Sequence, residues 1–136
     1  MSTTSRLAPF DVTRAGEHLA VKHGLYNDDR AAKKGSEPEG LAIGEINGVT
    51  HAFVASERSN FVAVYNLSNP VSPVFTQLLF ATNGPEGILP IPSRGLLAVS
   101  SETDDAATGV RASVSLYKLG ASTGASSRAA SQPSIV

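Results

Sequence analysis

Apolar residues are concentrated between Leu41 and Leu119, in short runs separated by turn residues. In several runs, such as 61–65, both alternating sets of positions are apolar, which is typical of sheets covered on both faces. The runs have the length of β-strands, and they lie at about 40–46, 49–56, 61–67, 74–81, 87–91, 96–101 and 112–119. The pattern therefore predicts an all-β fold with four strands followed by three.

These strands are arranged in two copies of one sequence pattern. Pro38-Glu39-Gly40 opens the first copy, and Pro85-Glu86-Gly87 opens the second copy 47 residues later. A period of about 40–50 residues with several strands in each unit is typical of β-propeller blades. The sequence therefore predicts a propeller fragment with two consecutive blades, at 37–84 and 85–119, of which the second is incomplete.

The turn in each copy predicts the register of its first hairpin. Asn47-Gly48 favours a two-residue turn, which places Glu39 opposite Ser56 and Pro38 opposite Glu57. In the second copy the four-residue turn 92–95 places Glu86 opposite Ser101 and Pro85 opposite Glu102. Two glutamates are thus expected at the open end of each hairpin.

Residues 1–36 are predicted to form a largely irregular extension with one short helix. Apolar and aromatic positions recur there at helical spacing after Thr13, a candidate N-cap. These positions are Ala15, Leu19, His23 and Tyr26.

Residues 120–136 form a tail of mostly small and polar residues. Such a segment cannot bury enough apolar surface to offset the entropy lost on ordering, so the sequence predicts a disordered tail. The fourth strand of the second blade is then expected to be missing, or to come from residues before Lys34.

Composition excludes several classes of function. The 136-residue chain has a net charge of −1, which gives no electrostatic basis for binding nucleic acid or an anionic membrane. The absence of cysteine excludes disulfides and thiol catalysis. No apolar run is long enough to span a membrane, and the N-terminus lacks the apolar core of a secretory signal. The chain as given is therefore expected to be cytoplasmic.

A series of short motifs in a fixed order resembles the C-terminal blades of choice-of-anchor β-propeller proteins. This group includes mesenchyme-specific cell surface glycoproteins and some atypical alkaline phosphatases, and the resemblance spans about 28–119. The motifs are Glu37-Pro38-Glu39-Gly40, Gly44-Glu45-Ile46-Asn47-Gly48, Ala52-Phe53-Val54, Glu57-Arg58, Val62-Ala63-Val64-Tyr65 and Asn69-Pro70.

The resemblance implies a closed ring of blades on an extracellular or surface-anchored parent protein, with calcium as the expected ion. In related phytase-like and phosphatase propellers, Pro-Glu-Gly glutamates near the channel mouth help to bind metal. The matching residues here are Glu39 and Glu86. Because fewer than two full blades are present, the sequence predicts a fragment of a larger protein.

Carboxylates are hard oxygen ligands of the kind that calcium prefers, so Glu39, Glu57, Glu86 and Glu102 are the candidate metal ligands. The alternative is that they bind backbone amides, or form ion pairs with Arg58, Lys34 or Arg94. Asp104 and Asp105 add negative charge to a loop that is expected to be solvated.

Two functions are consistent with these residues. The first is a non-catalytic, calcium-dependent binding or structural module, whose ligand would be a glycan, a mineral surface or a phosphoester. The second is a fragment of a metal-dependent phosphoesterase, which needs ligands from several blades and would be inactive alone. Expected partners are the missing blades or further copies of the chain.

Overall fold

A computed structural model describes residues 12–30, 32–120 and 134–135. The elements in chain order are α1 (Val12–Lys22), β1 (Pro38–Ile46), β2 (Val49–Ser56), β3 (Phe61–Asn66), β4 (Val74–Phe80), β5 (Pro85–Ile91), β6 (Leu96–Ser101), β7 (Ser113–Lys118) and β8 (Ser134–Ile135). Short 3₁₀ helices lie at Asp28–Arg30, Glu57–Ser59 and Pro92–Arg94. The predicted all-β class is confirmed, and β1 to β7 lie within two residues of the predicted strands.

The strands form two separate antiparallel sheets. The first sheet has the order β1-β2-β3-β4, and the second has the order β5-β6-β7-β8. Each predicted copy therefore forms its own sheet, as expected for consecutive blades of a propeller fragment. No helix in the described part of the chain is long and apolar enough to cross a bilayer.

The edge of the second sheet differs from the prediction. Its fourth strand is β8, near the C-terminus, which pairs with Ser115 and Leu116 of β7. None of the described residues before Lys34 supplies this strand; β8 pairs instead with the free backbone groups at the edge of β7. Most of the tail predicted to be disordered, 121–133 and 136, lies outside the described residues.

The short N-terminal helix predicted from the spacing of apolar residues is confirmed as α1. The helix begins at Val12, so Thr13 lies within the helix and is not its N-cap. Leu19 and Ala20 are buried against the outer face of the first sheet, the face that points away from the second sheet. The helix covers this face mainly over β2 and β3. Its residues Leu19 and Ala20 form one apolar cluster there with residues of the two strands, Ala52, Val54, Phe61, Ala63 and Tyr65.

The opposite face of the first sheet packs against the second sheet. The apolar core between the sheets contains Phe53, Ala55, Val62, Val64, Leu79, Leu97, Val99 and Tyr117. The hydroxyl of Tyr117 also donates a hydrogen bond to the carbonyl oxygen of Phe80, at 2.5 Å. The outer face of the second sheet is uncovered among the described residues, and Leu89 and Val114 on it are 60% and 44% exposed.

The two sheets approach most closely where β1 lies against β5. A Cβ atom on Gly44 would lie 2.6 Å from the Cβ of Pro90, and one on Gly40 would overlap the carbonyl oxygen of Glu86. Real Cβ contacts are essentially never this short. Glycine is therefore required at both positions for the observed distance between the sheets.

We expect Gly44→Val to lower the free energy of unfolding by about 1–3 kcal/mol, because the added side chain would overlap Pro90 and force the sheets apart. Urea denaturation followed by circular dichroism measures this change. Gly120→Val is the matched control, since a Cβ at Gly120 meets no atom within 4 Å. Equal stability of the two variants would contradict the requirement for glycine at position 44.

Candidate functional site

The open end of each hairpin contains a β-bulge at the Pro-Glu-Gly motif. The predicted register holds from Ile46–Val49 to Gly40–Ala55, but Pro38 then pairs with Ser56. Glu39 is therefore the extra residue of a bulge and does not lie opposite Ser56 as predicted. The prediction assumed an uninterrupted ladder, whereas a bulge adds one residue to one strand.

The second copy repeats this irregularity. Gly87 pairs with Ser100 and Pro85 pairs with Ser101, so that Glu86 is the extra residue. The predicted pairs of Glu86 with Ser101 and of Pro85 with Glu102 are corrected in the same way. The equivalence of Glu39 and Glu86 survives, because both occupy the bulge of their copy.

A pair of backbone hydrogen bonds closes the hairpin beyond each bulge. In the first copy, the amide of Glu57 donates to the carbonyl of Glu37 at 2.9 Å, and the amide of Arg58 donates to the carbonyl of Ser36 at 3.3 Å. In the second copy the corresponding donors are Glu102 and Thr103, and the acceptors are Gly84 and Asn83 at 3.0 and 3.2 Å. Glu37 and Gly84 are therefore structurally equivalent.

Glu37 occupies a backbone conformation that normally favours glycine. Its φ angle is 45°, and that of the equivalent Gly84 is 71°. The side chain of Glu37 is buried and forms ion pairs with Arg30 and with Arg58, whose Nε lies 3.2 Å from Oε2. These partners hold a glutamate where the repeat otherwise has a glycine.

The carboxylates of Glu37, Glu39 and Glu57 lie together, and each can place one oxygen within 4.8 Å of the other two. We call these three residues the acidic cluster. The structure thus joins the predicted Glu39 and Glu57 to Glu37, which the sequence analysis did not select. Alignment of the two copies could have identified Glu37 as a candidate, because the second copy has a glycine at the equivalent position.

Glu86 and Glu102, the other two predicted ligands, are not in the acidic cluster, and both are exposed. The cluster is specific to the first copy because Gly84 supplies no carboxylate at the position of Glu37. The predicted symmetry of the four glutamates therefore holds for the backbone, but it does not extend to the grouping of their side chains.

Burial and charge affect the members of the acidic cluster differently. The side chain of Glu57 is 3% exposed, and its Oε1 lies 2.9 Å from Nη2 of Arg58 without forming a hydrogen bond. Burial raises the pKa of Glu57; Arg58 opposes this shift, while Glu39 and Glu37 add to it. The hydrogen bond from Arg30 is the main cause of the lowered pKa of Glu37.

A polar cavity of about 300 Å³ lies beside Glu57, between the loops of the two sheets. Its lining includes Asn60 and Asn83, whose side chains are hydrogen bonded to each other at 3.2 Å. Asp104 and Asp105 also line it. The cavity connects the acidic cluster region with the acidic loop of the second copy.

The acidic loop of the second copy is held by its own aspartates. Asp104 accepts a hydrogen bond from the amide of Ala112 at 2.7 Å, and Asp105 accepts one from the amide of Ala107 at 2.9 Å. Hydrogen bonds from Thr108 and Ala107 lower the pKa of Asp105. Each aspartate therefore has a local structural role, whereas one oxygen of the buried Glu57 lacks a hydrogen bond.

Residues 10–70 match the family model of the choice-of-anchor I domain. The matched stretch contains α1, β1 to β3 and all three members of the acidic cluster. No curated protein and no solved structure matches the chain significantly.

The raised pKa of Glu57 leads to a prediction about stability and pH. As the pH falls from neutral towards 4.5, the folded chain takes up a proton at Glu57 before the unfolded chain does, which stabilises the fold. Below pH 4.5, protonation of Glu37 destabilises the fold, because its pKa is lowered on folding and the unfolded chain takes up this proton first. Glu57→Gln should therefore be most stabilising, relative to wild type, at neutral pH, and this advantage should shrink as the pH falls.

Thermal denaturation from about pH 8 to about pH 4 measures this difference. Glu102→Gln removes a carboxylate from the equivalent exposed position, and so provides a control for the change in net charge. A difference between Glu57→Gln and wild type that stays constant with pH would contradict the assignment of this effect to Glu57.

Proposed function

We propose that the chain is a non-catalytic binding or structural module of a surface-associated protein, because residues 10–70 match the family model of the choice-of-anchor I domain. The observation that carries this proposal is the family match, which coincides with a sheet of propeller type and with the acidic cluster. The module would act through the rim of its sheets, where the bulges and loops of the two copies meet.

We further propose that this rim holds a calcium ion at the acidic cluster. Glu39 and Glu57 would be the ligands, while Glu37, whose two carboxylate oxygens are paired with Arg30 and Arg58, would add negative charge beside them. Calcium binds six to eight oxygen ligands, which carboxylates, carbonyls and water can provide together. The bound ion would supply positive charge between carboxylates that otherwise repel one another, and no chemical step is needed.

The residues present fit such an ion in two respects. Oε1 of Glu57 is buried and lies 2.9 Å from Nη2 of Arg58 without forming a hydrogen bond, so it retains a lone pair that a metal ion can coordinate. The cluster also carries a net charge of −1 when its three carboxylates are counted with Arg30 and Arg58.

The alternative of a phosphoesterase is less well supported by the arrangement of the second copy. A hydrolytic site with two metal ions needs a second set of ligands close to the first. In the described chain, however, Gly84 replaces Glu37, and Glu86 and Glu102 remain exposed. The ligand classes predicted for the module, a glycan, a mineral surface or a phosphoester, stay predictions.

Calcium should raise the melting temperature of the chain, since an ion that binds only the folded state stabilises it by about 2.7 kcal/mol at about 100 times its dissociation constant. Glu39→Gln should abolish this shift, because it removes a proposed ligand from an exposed position. Differential scanning calorimetry with calcium chloride, and with magnesium chloride for comparison, measures the effect.

Glu86→Gln is the matched control for the calcium experiment. It changes the equivalent bulge of the second copy, outside the acidic cluster, and should leave the calcium response intact. Equal responses of Glu39→Gln and wild type, or no response in wild type, would show that the acidic cluster has only a structural role.

We also propose that the uncovered outer face of the second sheet promotes association of the isolated chain. Apolar residues on this face include Leu89, Ile91, Leu96, Ala98, Val114 and Leu116. Contiguous exposed apolar patches of this kind drive association between molecules.

Sedimentation velocity should therefore show concentration-dependent oligomers of the wild-type chain. The double change Leu89→Lys and Val114→Lys should reduce them, because it places charges on the patch. A wild-type chain that remains monomeric at all concentrations would contradict the proposed association.

A further inference from the structure

The turn between β3 and β4 begins with a sequence motif that the proposed function does not use. Asn66-Leu67-Ser68 has the form Asn-x-Ser in which x is not proline, and no other asparagine of the chain has serine or threonine two residues later. Enzymes that attach N-linked glycans recognise this form, and the acceptor sites lie in surface loops of exported proteins. Asn66 is therefore the one candidate acceptor in the sequence.

The side chain of Asn66 is held in a conformation that is compatible with a glycan. Its Oδ1 accepts a solvent-exposed hydrogen bond from the backbone amide of Ser68, at 2.8 Å. This bond forms an Asx turn, which brings residue 68 beside the carboxamide of Asn66. A glycan is attached to Nδ2, the other polar atom of the carboxamide, so the Asx turn can persist after attachment.

The surroundings of Asn66 leave room for a large group. Asn66 is the last residue of β3, where its backbone lies between His51 of β2 and Val74 of β4. Every residue in the range 66–73 is exposed or half-buried, so the turn contributes no buried side chain to the core. An oligosaccharide on Asn66 would therefore displace no core packing.

Apolar side chains are exposed next to the motif. Val71, Val74 and Phe75 are 60%, 59% and 37% exposed. Val74 lies directly opposite Asn66 in the ladder, so the two side chains are on the same face of the sheet with Cβ atoms about 4.5–5.5 Å apart. A glycan on Asn66 would therefore begin beside exposed apolar surface.

This apolar surface lies along the edge of a sheet. Strand β4 is the last strand of the first sheet, and it pairs only with β3 in the described part of the chain. Exposed apolar edge strands promote pairing between molecules, and proteins commonly prevent this with charged side chains. Residues 59–85, which include β4, contain no charged residue. A hydrophilic glycan would supply the cover that the sequence of this edge lacks.

We propose that Asn66 is an acceptor site for an N-linked glycan, which covers the apolar edge at β4. In the transfer, Nδ2 forms a C–N bond to the anomeric carbon of an oligosaccharide carried on a lipid pyrophosphate. The C–O bond from that carbon breaks, the lipid pyrophosphate leaves with the bonding electrons, and one proton of Nδ2 passes to a base of the transferring enzyme. This inference rests on the proposed surface-associated function, because the transfer acts on exported proteins.

Secretion of the full chain from mammalian cells, with a cleavable secretory signal added before Met1, tests the proposal. Intact mass spectrometry should find one oligosaccharide on the wild-type chain, which peptide N-glycosidase removes. Ser68→Ala should lose the oligosaccharide although it retains the Asx turn, since that turn uses the backbone amide of residue 68. Ser68→Thr keeps the hydroxyl group and should carry the oligosaccharide.

Val49→Thr is the positive control, because it creates a second acceptor motif at the exposed Asn47 in the turn between β1 and β2. This variant should carry two oligosaccharides. Secretion of the wild-type chain at its unmodified mass overturns the proposal. Because the added signal supplies export, this failure is distinct from a failure of the surface-associated module, whose calcium response is measured separately.

The covering of the edge is tested by comparing the secreted wild-type sequence with Ser68→Ala, both carrying Leu89→Lys and Val114→Lys to remove association through the second sheet. In sedimentation velocity, oligomers present in the chain with Ser68→Ala should be lost in the glycosylated chain. Equal association of the two proteins would overturn the assignment of the glycan as a cover for β4.

Discussion

The close approach of β1 to β5 is the constraint on which the rest of this structure depends. It is possible only because glycine occupies positions 40 and 44, and it brings the bulge of the first copy against the backbone of Glu86 in the second. The core between the sheets and the cavity beside Glu57 both follow from this distance. A larger separation would expose the core and move the loops of the rim apart.

The two copies share a backbone, but they differ in side-chain chemistry. Both have the bulge, the pair of closing hydrogen bonds and a left-handed residue at the same position. At that position the second copy has Gly84, which adopts positive φ readily, while the first has a glutamate held by two arginines. A residue retained in an unfavourable conformation by ion pairs indicates a role that glycine could not supply.

The electrostatics of the first copy depend on a balance between burial and charge. Arg30 and Arg58 compensate for the burial of Glu37, whereas Glu57 shares Arg58 and has two carboxylates as further neighbours. This explains why the pKa values of two adjacent buried glutamates shift in opposite directions. A cation would relieve the repulsion around Glu57 without disturbing the pairs of Glu37.

The sequence by itself determined the strands, the two turns and the separation of the copies into two sheets. These features are encoded locally, by the alternation of apolar residues, by Asn47-Gly48 and by the 47-residue repeat. Even the bulges repeat at the Pro-Glu-Gly motif, although a count of paired positions from the turn could not reveal an extra residue. The family resemblance was also contained in the order of the motifs.

Only the tertiary structure decided which carboxylates meet. Arg30 reaches Glu37 through the connection that precedes β1, and Arg58 reaches it from beyond β2, so their pairing depends on how the chain folds back. The position of β8 also depends on how the chain folds back, because β8 pairs with β7 although the two strands are not adjacent in sequence. Such contacts depend on distances between segments that are remote in the chain, and the pattern of any one segment does not contain them.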